Sequence, residues 1–181
     1  MTGRGDGPAR PGDECAESSD SRNESVDQLA HALQCAHELR LAAPDDPELQ
    51  VAGLVHNIGH LLAPGDDAGH GRAGAAAVRP LLGDRVARLV ELHVPAKRYL
   101  ISTDPSYRGR LSPVSTRTLS RQGGEMTGDE VGAFAAGPVS GAAIVLRRAD
   151  EAAKRPGRTV PPLDAWRSAL ERVAQSALNR R

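Results

Sequence analysis

The chain has 181 residues, a length that fits one domain with a sizeable core. Its 23 basic and 23 acidic residues cancel to a formal net charge of zero, which argues against nucleic acid or an anionic membrane as a partner. We expect a cytoplasmic protein, because no apolar run has the length of a membrane span or signal peptide and the two cysteines show no metal or redox spacing.

The beginning of the chain predicts a leader without fixed structure. Residues 1–22 are rich in glycine, proline, serine and charged residues and contain no periodic apolar pattern. Helical signals follow this segment, so we expect one folded domain over residues 23–178.

The first predicted helix has two different faces. Apolar residues recur at helical spacing on one side, at Val26, Leu29, Leu33 and Ala36. Polar residues and a cysteine share a narrow arc on the opposite side, at Glu24, Gln28, His31 and Cys35. This polar arc is either a solvated face or the lining of a polar interior in which His31 is a ligand.

The run from Val51 to Leu62 is apolar except for His56, Asn57 and His60. As one helix it would place His56 and His60 one turn apart on the same face, with Asn57 beside them. Its apolar stripe would consist of Leu54, Val55, Ile58, Leu61 and Leu62. Two imidazoles and an amide oxygen form a chelating surface, although a single helical histidine is more often a core or surface residue than a ligand.

Two further histidines lie at the ends of the next helical signals. His70 is predicted to open a helix of small residues over 73–78, which permits close helix packing. His93 continues an apolar stripe that is predicted to end at Pro95. An inward-facing histidine needs a partner for each ring nitrogen, and either a metal or a backbone hydrogen bond supplies one.

The rest of the chain continues the helical pattern. Ser112 and Pro113 predict a helix start, Gly123 and Gly124 a stop, and the spacing of Thr127 and Glu130 a capping box. Helices are also predicted over 139–154 and 163–178. No alternation typical of strands is present, so we predict an all-α bundle of six or seven helices.

The potential ligands occur in the order His31, His56-Asn57, His70, His93 and Asp150. Taken alone, Asp150 fits a surface charge ladder with Arg147 and Lys154. Taken together, the order resembles that of the HD-domain superfamily of metal-dependent all-α proteins. The segments 93–100, 111–115, 122–126 and 146–150 more closely resemble HD-domain oxygenases, relatives of myo-inositol oxygenase. Those enzymes cleave organophosphonates with a mixed-valence di-iron centre.

This resemblance covers roughly residues 24–163 and implies roles for individual residues. It implies that His31, His56 and Asp150 bind one iron and that His70 and His93 bind a second. It implies substrate contacts at Glu24, His60, Lys97, Ser115 and Arg147, with His60 and Lys97 as the catalytic candidates. Lys97 and Arg147 would then offer cationic donors to a phosphonate.

Asn57 departs from the resemblance, because the family has a bridging aspartate at this position. An amide is neutral and poorly suited to bridging two cations, so one or two iron ions are expected and the second is in doubt. A single-metal enzyme, a weakened two-metal enzyme and a non-catalytic binding relative all remain open. An HD-type phosphohydrolase is the alternative enzyme class. The expected partners are a small phosphonate or phosphate and, for an oxygenase, dioxygen.

Overall fold

The computed structural model describes the backbone of residues 20–181 and the side chains of residues 28–181. Over this range the chain is helical and contains no strand, which confirms the predicted all-α fold class. Seven α-helices have eight or more residues, and α3 and α5 are single turns of four. The helices are α1 (Asp20–Ala42), α2 (Pro47–Val55), α3 (Gly59–Leu62), α4 (His70–Thr103), α5 (Pro105–Arg108), α6 (Pro113–Arg121), α7 (Gly128–Ala135), α8 (Ser140–Ala152) and α9 (Arg167–Asn179), with a 3₁₀ helix over Leu163–Trp166 before α9.

The predicted leader falls mainly on residues 1–19, which lie outside the described residues. The domain boundaries therefore stay a prediction. Among residues 20–181, no single helix is both long and apolar enough to cross a membrane. The pair α7 and α8 meets that criterion by length and composition only, and its two helices are bent by 105°.

Local capping begins several helices where the sequence predicts. Ser112 caps α6 by accepting a hydrogen bond from the Ser115 amide at 3.2 Å, and Pro113 occupies the first helical position. Thr127 and Glu130 form the predicted capping box at the start of α7. These signals involve residues within one turn of each other, so they act independently of the tertiary fold.

Helix α4 lies at the centre of the bundle and packs against α2, α3, α8 and α9. It bends sharply at Gly83, whose φ of 85° is rarely adopted by residues with a Cβ atom. A straight helix would separate His70 from His93 by about 35 Å at 1.5 Å per residue. Instead, the bend turns 84–103 back along 70–82, so that a Cβ atom at Gly74 would lie 3.2 Å from Val90 Cγ1.

The predicted helix end at Pro95 is wrong, because α4 continues through Pro95 to Thr103. Proline cannot donate the hydrogen bond that the Glu91 carbonyl would otherwise accept within the helix. That carbonyl lies beside Gly71, where an added Cβ atom would be 3.3 Å away. Burial of the side chains that follow, including Lys97 and Leu100, holds this half of the helix in place.

The predicted continuous helix through His56 and His60 is also wrong. Helix α2 ends at Val55 and α3 begins at Gly59. Tighter turns join the two helices. In these turns the Ile58 amide donates a hydrogen bond to the Val55 carbonyl and the His60 amide donates one to the Asn57 carbonyl, each at 3.0 Å. These hydrogen bonds span three residues rather than the four of an α-helix, so the predicted helix is interrupted between His56 and Gly59.

Part of the predicted apolar stripe lies at the surface, since Leu61 and Leu62 are 65% and 55% exposed. Gly59 lies against the start of α4, where an added Cβ atom would meet the His70 carbonyl oxygen at 1.8 Å. This close backbone contact holds α3 against α4 at the position of the histidines.

The structure also decides which face of α1 points inward. Leu29, assigned to the apolar face, is 53% exposed, so that assignment is wrong at this position. Cys35 is fully buried and His31 is half-buried, because α2 and α8 pack against this side of α1. Of the two interpretations of the polar arc, the structure therefore supports the interior lining.

Candidate metal centre and anion site

Three side chains from three helices meet at one point. His31 lies on α1, His56 follows the end of α2, and Asp150 lies on α8. Asp150 Oδ1 is 3.0 Å from His31 Nε2 and 3.6 Å from His56 Nε2, and the two Nε2 atoms are 3.3 Å apart. Two histidines and one carboxylate on a shared face form a donor set that suits non-haem Fe(II).

A second pair of histidines lies next to this triad. His70 and His93 come together across the bend of α4, with their Nε2 atoms 2.9 Å apart. The ring of His93 also contacts that of His56, with 5.4 Å between the centroids. The triad and the pair therefore form one continuous cluster of imidazoles.

The outer nitrogen of each of these four rings faces a backbone carbonyl. The Nδ1 distances are 3.3 Å from His31 to Ala153 O, 2.7 Å from His56 to Gly53 O, 2.8 Å from His70 to Asp67 O and 2.6 Å from His93 to Val90 O. A carbonyl only accepts hydrogen bonds, so Nδ1 carries the proton and a neutral ring keeps a lone pair on Nε2. Lone pairs that face each other at about 3 Å repel, and a cation between them removes that repulsion.

The arrangement fits a bound metal. Ligands about 2.1 Å from an ion and at right angles to each other lie about 3 Å apart, which is close to the spacing within both groups. Backbone carbonyls on Nδ1 are the partners that commonly orient metal-binding histidines. His31, His56 and Asp150 could hold one ion, and His70 and His93 could contribute to a second.

Burial of His70 and His93, and the charges around Asp150, favour protonation states that can bind a metal. Burial, reinforced by the nearby His60, lowers the pKa of His70 to about 4, and burial holds the pKa of His93 well below its usual value. Burial alone would raise the pKa of Asp150. The charges of Arg147 and Lys154 outweigh it and hold that pKa well below its usual range. The neutral imidazoles and the ionised carboxylate are the forms that bind metals.

Arg147 connects this cluster to a second set of polar side chains. Its Nη1 donates to Asp150 Oδ2, and its Nη2 donates to Glu151 Oε2 and, at 3.1 Å, to Ser115 Oγ. Its Nε donates to the Tyr107 hydroxyl at 2.8 Å. The guanidinium is buried, so these contacts fix its position beside the candidate metal ligands.

Lys97 approaches the same set from α4. Its Nζ donates to the Ser115 carbonyl at 2.8 Å and to Thr118 Oγ1 at 3.0 Å. Burial, with repulsion from Arg147 and Lys154, lowers the pKa of Lys97 to about 8, which leaves it mainly protonated at pH 7. Lys97, Ser115 and Arg147 thus meet around one residue, and we call them the anion site.

The remaining predicted site residues are His60, Asn57 and Glu24. His60 stacks on His70 with 3.8 Å between ring centroids. Asn57 is half-buried in the turn after His56. Glu24 lies on α1, but its side chain is outside the described part of the chain. The structure therefore brings His60 to the cluster and leaves the contacts of Glu24 undescribed.

Three residues of the site, Tyr107, Glu151 and Lys154, were not among the site residues predicted from the sequence. The alternative of a surface charge ladder for Asp150, Arg147 and Lys154 does not hold, because Asp150 and Arg147 are only 3% and 4% exposed. Glu151, four residues after Arg147, and Lys154 bind Ser115 as well as each other. Their helical spacing signals contact but not burial, and no sequence signal points to Tyr107.

A separate cleft of about 790 Å³ lies between α2, the bend of α4 and α9. Its lining includes Arg79, Arg85 and Arg180 but no residue of the candidate metal centre or of the anion site. Each of these arginines already pairs with a carboxylate, as Arg85 does with Asp46 at 2.6 Å. The chemistry of the donor atoms, rather than cleft size, therefore identifies the candidate site.

Comparison with known proteins relates this geometry to a family. The chain is 39% identical over 158 residues to the hydroxymethylphosphonate dioxygenase of Gimesia maris, an alignment that covers 82% of this chain and 78% of the relative. It is 34% identical over 151 residues to the [1-hydroxy-2-(trimethylamino)ethyl]phosphonate dioxygenase (glycine-betaine-forming) of Leisingera caerulea, covering 79% and 76%.

The chain belongs to the phosphonate dioxygenase family. It is also 30% identical over 174 residues to an uncharacterized protein of Acanthamoeba polyphaga mimivirus, covering 89% of this chain and 78% of that relative. No family model matches the chain. The resemblance to phosphonate-cleaving oxygenases is thus confirmed at the level of the dioxygenase family.

Proposed function

We propose that this phosphonate dioxygenase family member is an iron-dependent oxygenase of the HD-domain type that cleaves a small 1-hydroxyalkylphosphonate. The observation that carries the proposal is the contact between Arg147 and Asp150, which joins the anion site to the candidate metal centre. A phosphonate held by Arg147 would lie next to the metal ligands. Both named relatives act on phosphonates with a hydroxyl group on the carbon attached to phosphorus.

His31, His56 and Asp150 would hold one iron, and His70 and His93 would hold the second. Bound iron supplies the redox chemistry with dioxygen, whereas the protein supplies orientation and charge. The fit of the donor atoms, with every Nε2 of the four rings turned toward another ligand, supports this assignment.

The anion site would orient the substrate. Arg147 offers a planar fork of donors, Ser115 a neutral hydroxyl and Lys97 an ammonium, and together they suit the oxygen atoms of a phosphonate. His60, stacked on His70, is proposed to donate a hydrogen bond to the substrate. Glu24 on α1 is a further proposed substrate contact.

The overall reaction balances with one dioxygen per substrate. The carbon attached to phosphorus loses four electrons and becomes a carboxylate, and phosphorus leaves as phosphate. The carboxylate and the phosphate each contain one oxygen atom more than the corresponding part of the substrate, so one dioxygen supplies both atoms. The name of the Leisingera caerulea relative, which specifies formation of glycine betaine, a carboxylate, agrees with this outcome for that enzyme.

The experiment uses protein purified without chelator from iron-supplemented cells. Iron content, oxygen uptake and phosphate release are measured with hydroxymethylphosphonate as substrate. We expect oxygen uptake and phosphate release in a one-to-one ratio. Phosphate release from a phosphate ester without oxygen uptake would instead identify a phosphohydrolase, and phosphonate binding without turnover would identify a binding protein.

A further inference from the structure

The Glu151 carboxylate is an anion that lies against Arg147 and Ser115 of the anion site and against the neighbouring Lys154. Its Oε2 accepts hydrogen bonds from Ser115 Oγ at 3.0 Å, from Lys154 Nζ at 2.9 Å and from Arg147 Nη2. Its Oε1 accepts from the Ser112 amide at 2.6 Å. Three donors on one oxygen are the environment that a phosphonate oxygen would require.

Two of these donors, Arg147 and Ser115, are the ones proposed to bind the substrate. Arg147 has five N–H groups, and four are used by Tyr107, Asp150, Ser115 and Glu151. A phosphonate that enters while Glu151 stays in place would therefore find one N–H of Arg147 free. The phosphonate would gain the Ser115 hydroxyl and the second N–H of Arg147 only by replacing the Glu151 carboxylate that now accepts from both.

We propose that Glu151 is an internal anion that fills the phosphonate subsite of the free protein and is displaced when the substrate binds. This inference rests on the proposed function, because it takes the anion site as the phosphonate subsite. Glu151 lies near the end of α8, and its side chain is 10% exposed, whereas that of Asp150 is 4% exposed. The Glu151 side chain is therefore closer to solvent than that of the adjacent Asp150.

The charges explain why such an anion is needed. A buried guanidinium without a counter-ion is strongly destabilising, and Lys154 adds a second positive charge within reach of the same oxygen. Glu151 neutralises these charges when no substrate is bound. A phosphonate dianion can take over that role and adds one negative charge beyond the carboxylate that it replaces.

Every anion that binds at this site must compete with the Glu151 carboxylate. Because it is attached to the protein, it competes at a high effective concentration, which is in the millimolar range for short flexible tethers. A monoanion only exchanges one single charge for another, so it overcomes this competition poorly. We therefore expect the free protein to prefer phosphonate dianions to sulfonates of the same size.

The experiment measures anion binding by calorimetry in the iron-loaded protein without oxygen. Methylphosphonate, measured at a pH above its second pKa so that it is a dianion, is the first probe, and methanesulfonate at the same pH is the monoanionic probe. The variant Glu151→Gln keeps the size of the side chain but removes its charge. We expect it to bind both probes about 10-fold more tightly than the parent, by a similar factor because both displace the same group. Glu171→Gln, an exposed residue on α9, is the matched control and should bind as the parent does.

Equal or weaker methylphosphonate binding by Glu151→Gln, with normal binding by the parent, would overturn the inference and show that Glu151 positions the donors instead. Absence of methylphosphonate binding in all three proteins would overturn the proposed phosphonate subsite as well. If Glu151→Gln folds poorly, Glu151→Asp provides the same comparison, because its shorter side chain retracts the carboxylate. It should also tighten binding, and weaker binding would contradict displacement.

Discussion

At the scale of single residues, Arg147 joins the two halves of the site. Its side chain contacts the metal-ligand candidate Asp150 and the anion-site residue Ser115. One guanidinium therefore orients a carboxylate and, under the proposed function, would also bind substrate oxygen atoms. Separate measurements of stability and binding distinguish the two.

Replacing Arg147 should affect both properties. Charge-assisted hydrogen bonds contribute about 1.5–3 kcal/mol each, so Arg147→Ala should weaken phosphonate binding by roughly 10- to 100-fold. It should also lower the free energy of unfolding, since Asp150 and Glu151 lose their main cationic partner. Calorimetry and urea unfolding measure the two effects. Arg148→Ala, at the neighbouring exposed position, should change neither, and unchanged binding by Arg147→Ala would contradict the anion site.

Asn57 stands where the family resemblance implies a bridging carboxylate, which makes a testable prediction about the number of bound metal ions. If the missing carboxylate limits metal binding, the native chain should contain fewer than two iron ions and Asn57→Asp should raise the content toward two. Oxygenase turnover should rise with it, because aspartate adds one negative charge and a second donor oxygen between two cations. Metal analysis and oxygen uptake provide the measurements. Two tightly bound ions in the native chain would show that another ligand replaces the bridge.

At the scale of elements, the contact between α3 and α4 depends on the absence of a side chain at Gly59. Gly59→Ala would place a methyl group against the His70 carbonyl oxygen. We expect this overpacking to lower the free energy of unfolding by about 1–3 kcal/mol or more and to weaken metal binding, because His60 and His70 must separate.

The matched control is Gly132→Ala on α7, where an added Cβ atom has no neighbour within 4 Å. Because alanine favours helix, this control should gain about 0.5–1 kcal/mol. Urea unfolding followed by circular dichroism measures both variants. A neutral effect of Gly59→Ala would show that α3 can move away from α4 without cost.

At the scale of the whole molecule, buried neutral histidines should make the metal-free protein sensitive to acid. The folded pKa of His70 is about 4 and that of His93 is well below its usual value, whereas both titrate near 6.5 in the unfolded chain. The unfolded state therefore binds more protons below pH 6.5, and stability falls as the pH is lowered from 6.5 toward 4. Each histidine contributes a slope of up to about 1.4 kcal/mol per pH unit.

Urea unfolding of chelator-treated protein at several pH values between 7 and 4.5 measures this slope. His70→Gln should have a smaller slope than the parent, whatever its absolute stability. A free energy of unfolding that is constant over this range would contradict neutral burial of the histidines. Loss of the ionised forms of Asp150 and Glu151 should add to the destabilisation only at lower pH, since the pKa values of both are lowered.

The sequence by itself determined the helical class and the starts of helices such as α6 and α7. Their caps involve residues within one turn, Ser112 with Ser115 and Thr127 with Glu130, so no distant contact was needed to predict them. The order of potential ligands, together with the resemblance to phosphonate-cleaving oxygenases, was also visible in the sequence.

Only the tertiary structure decided which groups meet. The inward face of α1, the turn after His56, the continuation of α4 through Pro95 and the burial of Glu151 all depend on helices distant in the chain. Packing against those helices overrides local preferences. The free energy gained by packing exceeds the cost of one helix-breaking residue or of one leucine left exposed. The sequence therefore indicated the candidate ligands, and the packing of α1, α2, α4 and α8 brought His31, His56, His70, His93 and Asp150 together.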